Sequence, residues 1–189
     1  RALTGKWNVQ GSIGVEHSRL SQSGANGQER EFVRPKGFLS STYQPVPSLS
    51  IRTRLEREVG QLDFGDFVSS VSLRDDLDTT GNPDLVPEQT WRGEIEFDKR
   101  FDQGGRVSVE FFAEQITDLV DRVPVGTDGD AVGNIDEAYR YGVQFNGTAA
   151  GERFGMPGVE IDLTAEAGHS QVDDPLTGER RQLNRDLEY

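Results

Sequence analysis

From Trp7 onward the side chains change character with a period of two, over runs longer than a soluble strand needs, and this constrains the chain more tightly than any other feature. Trp7, Val9, Gly11, Ile13 and Val15 share one parity, and Asn8, Gln10, Ser12, Gly14 and Glu16 share the other. A side chain that flips sides at each residue is the mark of a β-strand with one apolar face. Leu49, Ile51, Thr53 and Leu55 oppose Ser50, Arg52, Arg54 and Glu56, while Trp91, Gly93, Ile95 and Phe97 oppose Arg92, Glu94, Glu96 and Asp98. Val107, Val109, Phe111 and Ala113 oppose Ser108, Glu110, Phe112 and Glu114, with Phe112 the exception to the rule. Tyr139, Tyr141, Val143 and Phe145 oppose Arg140, Gly142, Gln144 and Asn146, and Val159 to Ala167 alternates against Glu160 to Gly168. A weaker pattern runs from Phe32 to Tyr43, and a last strand begins near Arg181.

The connections alternate in length. Gln44 to Pro47 and Asp102 to Gly105 carry the Pro or Gly of tight hairpin turns, and Ala150 to Gly158 is a somewhat longer third turn. Between them lie polar segments assigned as long loops: Ser18 to Glu29, Gly60 to Glu88, Thr117 to Asn134 and Val172 to Arg180. Phe64, Phe67, Val68, Val71 and Leu73 suit a small hairpin or flap inside the second of these. The expected fold class is therefore all-β, an antiparallel up-and-down meander of about eight long strands in a single domain over residues 1–189. Strands of about 10 to 13 residues exceed the usual five or six and match the roughly 9 to 11 of a tilted membrane-spanning strand. Short turns at one rim, long loops at the other and apolar-out, polar-in alternation together predict part of a transmembrane β-barrel.

Composition agrees. Only 33% of residues are hydrophobic, too few for a thick core but enough for one apolar parity. The 10 Phe, 4 Tyr and 2 Trp exclude an acidic disordered chain. A net charge of -13 argues against a nucleic-acid partner, because phosphate contacts need clustered Lys and Arg. The chain has no Cys, which excludes disulfide and thiolate-zinc scaffolds. It shows neither a signal peptide after Arg1 nor an apolar run of the 18 or so residues needed by a membrane-spanning helix.

The run Gly81-Asn82-Pro83-Asp84-Leu85-Val86-Pro87-Glu88, continuing through Trp91 to Phe101, resembles the barrel of TonB-dependent outer-membrane receptors. Leu49 to Phe64, Ile116 to Val120 and Gly133-Asn134-Ile135 before Tyr139 to Val143 are similar to further stretches of that family, in its order. The resemblance implies a fragment of the C-terminal half of a barrel of about 22 strands. The plug domain and TonB-binding box that such receptors carry do not precede Trp7, and Asn184 to Tyr189 reads as the opening of an unfinished strand. Eight strands cannot close at that radius, so this piece alone is not expected to transport. The resemblance further implies the Gram-negative outer membrane, the lipid bilayer and the inner-membrane TonB complex as partners, and an iron-siderophore chelate, cobalamin or a saccharide as ligand.

Arg52, Arg54, Glu94, Glu96, Asp98, Arg140 and Gln144 are the candidates for lumen-facing groups. Such charges are tolerable toward water and costly in a dry core. No catalytic residue, cofactor or resident metal is expected. His17 and His169 lack further ligands, and Asp128-Gly129-Asp130 and Asp173-Asp174 lack the spacing of a calcium loop. Glu94 and Glu96 read as a wet wall before a glycosidase pair, and Asn146-Gly147-Thr148 as a chance sequon. Two rival architectures remain open at this point: a self-contained eight-stranded outer-membrane barrel, and a soluble β-sandwich or lipid-binding barrel. The latter would bury Trp7, Trp91, Tyr139 and Tyr141 against one another.

Overall fold

A computed structural model describes residues 2–4, 6–21, 29–62, 70–72, 77–79, 82, 84–102, 104–125 and 129–183. Its strands are β1 (Ala2–Thr4), β2 (Trp7–Ser21), β3 (Glu29–Val46), β4 (Leu49–Val59), β5 (Ser70–Ser72), β6 (Leu77–Thr79), β7 (Gln89–Phe101), β8 (Gly105–Val125), β9 (Gly129–Ala150), β10 (Glu160–Asp173) and β11 (Arg180–Arg181). The main sheet runs β1-β2-β3-β4-β7-β8-β9-β10-β11, and β5 and β6 pair with each other as a separate two-stranded sheet. Each neighbouring pair in the sheet is antiparallel, which makes a meander.

The register carries the alternation across the whole sheet. One row is Ile51, Phe97, Val109, Phe145 and Ala165; the next is Arg52, Glu96, Glu110, Gln144 and Glu166. Slipping any strand by one residue would place charges in the apolar row, so the two-faced pattern pins the register. Trp7, Trp91, Tyr139 and Tyr141 are 43%, 45%, 42% and 55% exposed. The packing of these four against one another that would favour the soluble reading is not what the sheet shows. Burial instead falls on the polar face and toward one end, where Ile116, Ile135, Ala138 and Val172 form a small core joined by Leu119, Val123 and Leu183.

Several connections differ from expectation. The first hairpin turns at Pro47 and Ser48, between Val46 and Leu49, because a register shift after Tyr43 lets β3 run on. The tight turn before Gly105 holds Gly104 at φ 78, and residues 151–154 form a 3-10 helix ended by Gly155 at φ 72. The loop assigned to Thr117–Asn134 is mostly strand, with β8 and β9 paired as far as Val125 and Gly129. The loop assigned from Ser18 contracts likewise, since β2 reaches Ser21 and β3 starts at Glu29. Beyond the lipid band no parity needs to be apolar throughout, so a paired strand there reads as a polar loop. Val172 to Arg180 is a compact turn, with Asp174 N donating to the Glu179 carbonyl at 2.9 Å and Gly178 N to the Asp174 carbonyl at 2.8 Å. Inside Gly60–Glu88, Val71 pairs with Asp78 across β5 and β6. Phe64, Phe67, Val68 and Leu73 lie outside the described residues, as do Asp128 and 184–189.

Candidate functional site

The polar face is a wall of interlocked charges. All seven sequence candidates stand on it, because the paired strands keep like parities on one side. Arg52 donates to Glu96 at 3.0 Å, Arg106 to Asp98 at 2.6 Å and Gln144 to Glu166 at 2.8 Å. Arg54 grips both carboxylate oxygens of Glu56 at 2.7 Å and stacks over Phe38, 4.0 Å from its ring centre. Glu94 accepts from Arg92.

The centre of the wall escaped sequence reasoning. Glu114, its side chain only 3% exposed, accepts from Arg92 on one side and from Arg140 at 2.7 Å on the other. Arg92 also reaches Glu110 at 3.4 Å and lies 4.8 Å over the ring of Phe112. Glu96 and Glu110 are direct cross-strand neighbours, an arrangement that like charges oppose. Arg52 beside the first and Arg92 beside the second relieve it. Parity marks these side chains as polar-facing, but only the register shows that Arg92, Glu114 and Arg140 adjoin.

Phe112 breaks the alternation because of its neighbours. Its row reads Arg54, Glu94, Phe112, Gly142 and Gly168, and the ring covers the backbone that the two glycines leave bare. An aromatic over a cross-strand glycine restores packing that the glycine forfeits.

Above this wall opens a cavity of about 480 Å³, lined in part by Glu58, Glu114, Ile116, Leu119, Asp121 and Arg140. The segment Asn82 to Glu88 closes one side of the same end. Asn134 acts there as a surrogate strand partner: its Oδ1 accepts from Val86 N at 2.9 Å, and its Nδ2 donates to the Val86 carbonyl at 2.9 Å and the Asp118 carbonyl at 2.7 Å. Asn82 caps its own turn by accepting from Asp84 N at 2.9 Å, and donates to the Val132 carbonyl at 3.0 Å. Leu85 is completely buried beneath. Asn82 and the stretch from Asp84 to Glu88 thus form an anchored strap, held where Asp118 adopts a left-handed φ of 57.

At the same end Arg181 bridges Asp121 and Asp174, both at 2.8 Å. The Leu176 N–H, followed by the Arg181 guanidinium, holds the Asp174 carboxyl below the usual carboxylate range. His17 pairs with Glu31 at 2.7 Å, and His169 lies 5.7 Å from Tyr141 by ring centres. Among the described residues no group of three or more His, Cys, Asp and Glu is arranged to hold a metal ion.

A family model described as TonB dependent receptor-like, beta-barrel, matches residues 2–186. The chain belongs to this family. Among solved structures the receptor-barrel chain is similar to the copper transporter OprC, with a TM-score of 0.66 and 11% identity over 89% of this chain and 27% of that one. At that identity the likeness concerns the fold, and the chain spans only about a quarter of OprC's length. No curated protein matches it.

Membership explains the exposed aromatics. In a transmembrane barrel the row of Ile51, Phe97, Val109 and Phe145 faces hydrocarbon, and Trp7 stacked on Tyr43 at 4.4 Å and Trp91 with Tyr139 lie at opposite ends of the apolar band, where aromatic girdles form.

Proposed function

We propose that the protein carrying this chain is an outer-membrane receptor that captures a scarce nutrient and imports it with energy from the inner-membrane TonB complex. The observation that carries this reading is the partition of one sheet into a lipid-compatible face and a wall of paired charges centred on Glu114, in a chain of the receptor-barrel family. Arg52, Arg54, Glu94, Glu96, Asp98, Arg140 and Gln144 face the lumen, where they pack against the plug and keep it hydrated. Residues 1–189 form part of the barrel domain, and the cavity above Glu114 opens toward the ligand's entry side.

The ligand is an iron-siderophore chelate, cobalamin or a saccharide. Copper, named for OprC, is a fourth candidate, but a wall of carboxylates and guanidiniums suits a solute rich in hydrogen-bonding groups better than a soft cation. Cell fractionation of the whole gene product, followed by gels of boiled and unboiled samples, tests the location. A heat-modifiable outer-membrane band several times the mass of this chain, with nutrient uptake abolished when TonB is removed, is expected. A soluble product, or uptake indifferent to TonB, overturns the reading. Glu94→Ala should alter plug docking or stability more than ligand preference.

A further inference from the structure

We propose that the apolar face carries a specific phospholipid site: a hollow between Ile13, Leu39, Leu55 and Trp91 takes one acyl chain, and Arg57 at its end takes the phosphate.

The hollow has a volume of about 310 Å³. A glycine makes it. Gly37, paired with Ile13 on one side and Arg57 on the other, leaves bare backbone between them, and Leu39 and Leu55, paired with each other, stand beside it with Trp91; Gly93 pairs with Leu55. Gly37 is held so close to β2 that a Cβ there would meet the Ile13 Cα at 3.0 Å, and its φ of +155 disfavours a side chain in any case. Gly93 differs, because a Cβ there meets nothing within 4 Å. The band is therefore indented at one place, where an acyl chain regains the dispersion contacts that a void forfeits.

Arg57 supplies the second observation. It is paired with Gly37 and Trp91, on the face that meets lipid, with its guanidinium 5.8 Å from the centre of the Trp91 ring. It donates to the Gln89 side chain, but its Nε is buried without a hydrogen-bond partner. Arg52, Arg54, Arg92, Arg106 and Arg140 each have a carboxylate on the polar face, whereas Arg57 makes no ion pair among the described residues. A guanidinium nitrogen buried without a partner is costly, and a phosphate is the anion that the membrane boundary supplies. Trp91 marks the headgroup level, so phosphate at Arg57 and acyl chain toward Leu55 and Leu39 run in the direction a lipid lies.

The whole receptor, purified in detergent and stripped of lipid, is titrated with dipalmitoyl phosphatidic acid and with dipalmitoylglycerol under native mass spectrometry. One phosphatidic acid should bind at least about tenfold more tightly than the neutral lipid, and Arg57→Gln should abolish that preference while Arg57→Lys retains it. Gly93→Leu, which grows into open space, should weaken both lipids. Equal binding of the two lipids by the native protein, or a preference unchanged in Arg57→Gln, overturns the site. Should Arg57→Gln fail to fold, full binding by Gly93→Leu overturns it independently.

Discussion

The ring of Phe112 covers the backbone of Gly142 so closely that a Cβ on the glycine would stand 2.8 Å from Phe112 Cζ and 2.7 Å from the carbonyl oxygen of Ala167. Phe112 is 6% exposed although it faces the polar side. Phe112→Ala should cost about 3 kcal/mol, the lower end for a buried aromatic. Gly142→Ala should cost about 1–3 kcal/mol, because backbone rather than a flexible side chain must move. Urea unfolding of the receptor in lipid vesicles, followed by gel mobility, measures both. A neutral Gly142→Ala would mean that the ring does not lie there.

Glu114 should be the most sensitive acid of the wall, since it is buried between Arg92 and Arg140. Glu114→Ala leaves two guanidiniums facing each other and should cost about 3 kcal/mol or more. Glu114→Gln, which still accepts hydrogen bonds, should cost less. Arg180→Ala, at the exposed pair with Asp173, should lie within about 1 kcal/mol of the native protein. The same unfolding assay ranks the three.

The two parities can be told apart by charge. Phe111→Arg places a cation on the lipid face near the middle of the band and should destabilise by about 2–4 kcal/mol, whereas Thr164→Arg, exposed on the polar face, should be far milder. Folding yield into vesicles checks the order, and equal effects would deny that the exposed aromatics face lipid.

Asn134→Ala removes three hydrogen bonds, two to the backbone of Val86 in the strap and one to the Asp118 carbonyl in β8. Each orphaned backbone group costs about 1–3 kcal/mol if it stays dry, so the strap should open rather than bear it. Hydrogen exchange at Val86 should accelerate while exchange in the middle of β8 stays slow. Global unfolding without local opening would contradict an independently anchored strap.

Acid should loosen the turn after β10. The Asp174 carboxyl is lowered in the folded chain by the Leu176 N–H and Arg181. The unfolded value is about 3.9, so this stabilisation is complete well above pH 4 and is lost as pH falls through the lower folded value. Exchange at Leu176 should therefore be faster in Asp174→Asn than in the native protein at pH 7, and the difference should shrink as the pH falls through the lowered folded value. A constant difference would assign the anchoring to something other than the ionised carboxylate.

How much of this was legible in the chain depended on whether a physical pressure acted on consecutive residues. Leu49 to Glu58 and Trp91 to Asp98 displayed strand, face and membrane compatibility, because lipid on one side dictates every second residue. Thr117 to Asn134 hid a paired hairpin, because no lipid dictates every second residue there and only scattered positions such as Leu119 and Val123 turn to the small core. The seven wall candidates followed from parity, whereas Glu114 did not stand out among the acids until β7, β8 and β9 were in register.

The sequence by itself determined an antiparallel sheet with one apolar and one polar face, since alternation is a local property written in neighbouring residues. Only the tertiary structure decided that Arg92 and Arg140 enclose Glu114, that Asn134 holds Val86 48 residues away, and that the Arg57 Nε is buried beside a hollow with no hydrogen-bond partner among the described residues. Those contacts depend on which strands adjoin and in what register, and residues distant along the chain carry no local trace of one another.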